Sequence, residues 1–199
     1  MVNVVLMQVF SIALFFAYKF YAKSKLKESY GLLIVTECLF VLYSGMCIIS
    51  GVDAEILLSF VAVAVGVYIA YIDIKRRVIS MKLCLFIAIV ALVFSFVRND
   101  VSFYNPIVTA VVFYLFSLFL RWISKQQMGD GDVKLIAVYG GVYAFPQVMS
   151  VLFYSFLSCL LVGIILVLRK KQNMKLELPF APFMIIGAVV FDILKYMIG

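Results

Sequence analysis

Apolar residues run along this chain in long stretches, and polar residues collect in the short intervals between them. Eight such stretches cover roughly residues 4–21, 31–50, 55–72, 82–97, 104–123, 133–145, 147–168 and 181–198. A helix needs about 20 mostly apolar residues to cross a hydrocarbon core ~30 Å thick. The pattern therefore predicts an all-α fold: a polytopic membrane bundle of about eight transmembrane helices. The sixth stretch is short and Pro146 follows it, so stretches six and seven also fit one broken helix. The connections are too brief for a separate soluble domain, which makes this a single integral membrane domain.

Composition agrees. The chain is 66% hydrophobic with a mean hydropathy of +1.17, where ordinary soluble domains are about half apolar. The first stretch does not read as a cleavable signal peptide, because its lysines follow the apolar run and no small-residue cleavage site appears. It reads as an anchor with its N-terminus outside. Positive charge sets the orientation. With the loops after stretches one, three, five and seven inside, all but Arg98 and Lys195 of the 17 Lys and Arg fall on the cytoplasmic side. The predicted topology is N-out and C-out in the cell membrane. Basic loops against an anionic leaflet account for the net charge of +7, so lipid is the expected partner and nucleic acid is not.

Several chemistries drop out. Without histidine, serine–histidine and cysteine–histidine triads and histidine-ligated metals are excluded. Cys38, Cys47, Cys84 and Cys159 all fall inside apolar stretches and form no CxxC, which argues against a zinc knuckle or a thioredoxin-like pair. No phosphate-cradling glycine loop is present. Neither a metal nor a cofactor is expected.

The acids carry what remains. Asp53, Glu55, Asp100, Glu28 and Glu177 fall in loops, where solvation is the plain reading. Asp192 lies three positions before Lys195, the spacing of a helical ion pair. Glu37 lies inside the second stretch, where an ionisable side chain is a functional candidate, although a hydrogen bond to a neighbouring helix also accounts for it. Asp73 closes the third stretch in "YIDIKRRVIS". Its plain role is pairing with Lys75, Arg76 or Arg77. Asp132 opens the sixth stretch in "GDGDVKLIA", and its plain role is an N-cap. Gly129 and Gly131 fit either role, since glycine adopts backbone conformations that other residues resist.

Topology joins the two aspartates. Apolar runs and basic loops alone put Asp73 and Asp132 at one membrane face on different helices. Asp73 sits at a helix C-terminus, where the dipole disfavours ionisation, and Asp132 at an N-terminus, where it favours it. Such a pair can share one proton: the carboxylate draws a proton from water while the carboxylic acid polarises a peptide carbonyl.

These residues resemble the type IV prepilin peptidases, polytopic aspartyl proteases that clip the leader from pilin-like precursors. Three pieces match in order: the aspartate before a basic turn in "YIDIKRRVIS", a GxGD motif followed by Val-Lys-Leu in "GDGDVKL", and the proline-rich entry "LPFAPFMIIGA". The resemblance covers about residues 55–199. It implies a six-helix core over 54–199, with residues 1–53 as an added N-terminal helix pair. Asp73 and Asp132 would be the catalytic pair, with Gly129 and Gly131 shaping the motif and Asp130 at its variable position. Lys134 would lie beside the site or meet lipid headgroups. Pro179 and Pro182 would form its floor or simply start a helix. Two departures stand out. Val78-Ile79-Ser80 replaces the isoleucine–proline–asparagine common after the first aspartate. The connection "AKSKLKESYG" replaces the cysteine-paired zinc domain of longer members, which implies peptidase activity without the methyltransferase.

Two other protein classes use similar acids. A presenilin-like or signal-peptide-peptidase-like intramembrane protease shares GxGD, but "PFAP" stands here in place of its proline–alanine–leucine. An ion or proton transporter would line its path with Asp73, Asp132 and Glu37, and a non-catalytic assembly scaffold would need none of them. The substrate that the resemblance implies is a prepilin or pseudopilin precursor with a short basic leader ending in glycine.

Overall fold

The computed structural model describes residues 29–50, 54–96, 102–125, 128–170 and 178–198. The first apolar stretch with its four lysines lies outside these residues, as do Glu28, Asp53, Arg98, Asp100, Lys171, Lys175 and Glu177. Among the described residues every regular element is helical. Seven α-helices follow stretches two to eight: α1 (Ser29–Ser50), α2 (Ala54–Arg76), α3 (Met81–Ser95), α4 (Asn105–Ile123), α5 (Asp130–Tyr143), α6 (Gln147–Lys170) and α7 (Ala181–Ile193). The last runs on into a π-helical turn, Leu194–Ile198.

By length and composition α2, α4 and α6 can cross a membrane. The 14 residues of α5 make only about 21 Å of helix, short of a ~30 Å core. Pro146 does divide stretches six and seven into two helices. Between them Ala144 takes a left-handed φ of 56°, and α4 holds this turn in place. Asn105 Nδ2 donates to the Phe145 carbonyl at 3.1 Å, and the Phe145 N–H donates to Thr109 Oγ1 at 3.2 Å.

The central helix is α2. In its apolar window 78% of residues are buried, against 22% for α4 and 17% for α6. Around α2 pack α1, α3, α5 and α7, while α4 lies outside against α5 and α6 outside against α7. The outer helices expose Val111, Leu115, Phe153 and Leu160. Such faces suit lipid, whereas a soluble monomer rarely exposes contiguous apolar surface on this scale. Close approach depends on small residues, as is usual between membrane helices. A Cβ on Gly187 of α7 would lie 2.6 Å from the Val151 carbonyl oxygen of α6, so any side chain there would push the two apart.

At the end where α2 begins, two expectations change. Glu55 is not a solvated loop residue, because it pairs with Lys195 at 2.6 Å and its side chain is only 14% exposed. Asp192 is fully buried and is not the hydrogen-bonded partner of Lys195. Instead the Tyr43 and Tyr143 hydroxyls both donate to its Oδ2, the latter at 2.9 Å. A buried carboxyl needs donors at its own depth. Two tyrosines supply them, and α1 is thereby tied to α5 and α7.

Candidate active site

Asp73 lies in the last turn of α2, followed at once by a break. The Arg77 N–H donates to the Asp73 carbonyl at 2.8 Å, and Arg77 takes a left-handed φ of 52°, the usual way to stop a helix and turn the chain. The Asp73 side chain points inward and is 6% exposed. Its Oδ2 accepts the Ala181 N–H at 3.3 Å. The plain reading, a surface pair with the following basic residues, describes it only in part: the carboxyl is buried, and of those residues the Arg77 charge acts on it. Lys75 Nζ lies over the Tyr71 ring, 4.8 Å from its centroid.

Asp132 is the third residue of α5, and the N-cap is Gly129, with extended backbone at φ −65° and ψ 146°. The N-cap role considered for Asp132 therefore belongs to Gly129. Asp132 reaches back to accept the Gly129 backbone N–H, as the third residue of a capping box does. The glycines are not there for unusual dihedrals, since neither adopts a left-handed φ. They are there for space. A Cβ on Gly129 would lie 3.1 Å from Asp132 Oδ2, and one on Gly131 would lie 2.7 Å from the Cβ of Ile79.

These elements enclose a cavity of about 330 Å³. From α2, its loop and α3 come Asp73, Arg77, Val78, Ile79, Met81 and Cys84; from α5 come Gly129 to Asp132 and Lys134. The structure thus brings Asp73 and Asp132 to one cavity. The helix N-terminus leads one to expect a lowered pKa at Asp132, and here the finding differs. Burial pushes its carboxyl up to about 6, the Asp73 charge adds to the rise, and the Gly129 hydrogen bond opposes it. Desolvation and a like charge outweigh a partial dipole.

The remaining candidates separate. Asp130 is largely exposed and pairs with Arg121 at the end of α4. Lys134 lines the cavity, half-buried. Pro179 and Pro182 do not line it, and Pro182 sits at the start of α7, where a missing N–H costs nothing. Of the two residues between them, Ala181 reaches the site through its backbone. Glu37 lies outside this cavity, and its electrostatic neighbour is Tyr68 of α2. Sequence reasoning missed Ala181, Ile79 and Cys84. A backbone donor leaves no side-chain signature, and nothing in the sequence separates Cys84 from the other three cysteines.

The fold and site define a class first: an integral membrane helical bundle with two carboxylates, from helices far apart in sequence, facing one cavity at one end. Comparison with known proteins narrows the class. The sequence model described as the type IV leader peptidase family matches residues 60–167, a span that includes both Asp73 and Asp132. The chain belongs to the type IV leader peptidase family. It is 28% identical over 166 residues to the prepilin leader peptidase/N-methyltransferase of Bacillus subtilis (strain 168), covering 83% of this chain and 64% of that protein. Against the protein of the same description from Pectobacterium carotovorum subsp. carotovorum, identity is 30% over 168 residues, 80% of this chain and 58% of the other. For that of Aeromonas hydrophila it is 29% over 142 residues, 69% and 48%. The chain spans about half to two thirds of the length of these curated relatives. No solved structure matches it.

Proposed function

We propose that this chain is a membrane aspartyl endopeptidase that removes the leader peptide from type IV prepilin-like precursors, with Asp73 and Asp132 as its catalytic pair. The observation that carries this reading is the shared cavity, within a chain of the leader peptidase family. One carboxylate takes a proton from water as the water oxygen attacks the scissile carbonyl carbon. The other, protonated, gives its proton to the carbonyl oxygen. The tetrahedral intermediate then collapses, the C–N bond breaks, and the leaving amine takes up a proton from the pair. The role of Asp132 as proton carrier is favoured by its raised pKa. Gly129 and Gly131 serve as spacers, and Lys134 as a cation at the cavity wall.

The site is proposed to face the cytoplasm from the cell membrane, in an N-out, C-out bundle of about eight crossings. Lys75, Arg76, Arg77, Arg121 and Lys134 gather at the cavity end of the described helices, which suits an inner-leaflet position. Cysteine labelling at positions 25, 79, 126 and 173 should report all four inside. The proposal does not extend to the N-methyltransfer that the relatives' names also carry, because the connection between the first two apolar stretches is only about ten residues without a cysteine. The deciding experiment incubates membranes holding the full chain with a precursor whose basic leader ends in glycine before an apolar helix. Leader release that is lost in Asp73→Asn and in Asp132→Asn supports the reading; an intact precursor overturns it.

A further inference from the structure

We infer that Ile79 is the positioning residue that joins the two halves of this cavity, its side chain seated on Gly131 so that the loop after Asp73 is clamped to the turn carrying Asp132. The catalytic consequence rests on the reading above, while the clamp itself rests on geometry alone.

A Cβ built on Gly131 would meet three carbons of Ile79: Cβ at 2.7 Å, Cγ1 at 2.9 Å and Cδ1 at 3.1 Å. Because Gly131 has no left-handed φ, its glycine is explained by this close approach and not by backbone freedom. The segment that Ile79 belongs to is short and irregular. It begins at the left-handed Arg77 and ends where α3 starts at Met81. Val78 and Met81 on either side are 61% and 59% exposed, while Ile79 packs against the core. It is the apolar side chain that turns this loop inward. A β-branched residue is also stiff about χ1, so it fixes the separation of whatever it bridges. Here it bridges the end of α2 and the start of α5. Where a proline would rigidify the loop through its ring, this chain obtains the same restraint by side-chain packing.

Several charged groups surround Asp132: Asp73 and Arg77 from the end of α2, Lys134 and Asp130 from α5, and Arg121 from α4 through Asp130. Releasing the loop would move Asp73 away and admit water. Both changes favour ionised Asp132.

The test uses the full chain in membranes with isotope-labelled aspartate. The Asp132 carboxyl band, assigned with Asp132→Asn, is followed by infrared spectroscopy against pH. Ile79→Ala should lower the Asp132 midpoint by about one pH unit and slow precursor cleavage, while Ile79→Val should keep both near wild type. Gly131→Ala should accumulate poorly, and adding Ile79→Gly should restore accumulation, because the second change removes the carbons that the new methyl meets. An unmoved midpoint in Ile79→Ala, or a double variant no better than Gly131→Ala alone, overturns the inference. Where Ile79→Ala itself fails to accumulate, the double variant decides. If the midpoint shifts as stated and the wild-type chain still cleaves nothing, the clamp stands and the peptidase reading falls.

Discussion

The Ala181 N–H donates to Asp73 Oδ2 at 3.3 Å across 108 positions of sequence. The proline-rich entry to α7 meets the cavity through this backbone contact and not through either proline ring. Pro182, at the start of α7, has the fixed φ that begins a helix, and Ala181 beside it has a free first-turn donor that would otherwise be buried without a partner.

This contact separates two substitutions at Asp73. Asn keeps an oxygen for the Ala181 N–H, so Asp73→Asn should accumulate and melt like wild type while cleaving nothing. Asp73→Ala strands the donor, at a cost of about 1–3 kcal/mol, and should melt lower. Equal melting temperatures for the two variants would show that the bond does not contribute to stability.

Asp132 gives the chain a pH dependence of definite sign. Its folded value of about 6 lies above the ordinary 3.8, so the fold prefers the protonated carboxyl. The resulting stability is fully present below about pH 4 and is lost as pH rises through about 6. Asp132→Asn removes that loss. Its melting temperature in detergent should exceed the wild type's at pH 7.5, and the gap should close by pH 4. Solvent screening at a half-exposed carboxyl limits the gap to about 1–2 kcal/mol. A gap that widens toward low pH would contradict this assignment.

Asp130, the other acid of the motif, should be dispensable. Its side chain is 68% exposed and its partner is Arg121, and exposed pairs contribute about 0–1 kcal/mol. Asp130→Asn should keep cleavage within about five-fold of wild type. An essential Asp130 with a dispensable Asp132 would mean that the motif is read in the wrong register.

Asp192 should matter for folding and not for cleavage. Replacing it with Leu leaves the Tyr43 and Tyr143 hydroxyls without their acceptor, a loss of about 2–6 kcal/mol for two buried donors. The variant should accumulate less, yet each folded molecule should cleave at the wild-type rate. A folded Asp192→Leu protein with no activity would assign this acid a part in the reaction.

Cleavage should survive chelators, because the proposed water activation needs two carboxylates and the sequence has no histidine. The new N-terminus should also remain unmethylated when this chain acts alone with S-adenosylmethionine. Mass spectrometry of the product checks the second point, and rescue of chelated membranes by added zinc would refute the first.

The sequence by itself determined the helical membrane character, since unbroken apolar runs leave the backbone no other way to satisfy its polar groups in lipid. It also singled out Asp73 and Asp132, because carboxylates are costly near a bilayer and few competed. Only the tertiary structure decided what surrounds them. Asp192 and Lys195 have the spacing of a pair, but Asp192 is bound by Tyr43 and Tyr143, and Lys195 by Glu55, 140 positions earlier in the chain. Gly129 and Gly131 looked like sources of backbone freedom, whereas packing makes them gaps for Asp132 Oδ2 and Ile79. For the same reason the helix dipole does not set the state of Asp132. Local sequence reports helix ends, but burial and a neighbouring charge come from helices that meet only when the chain has folded.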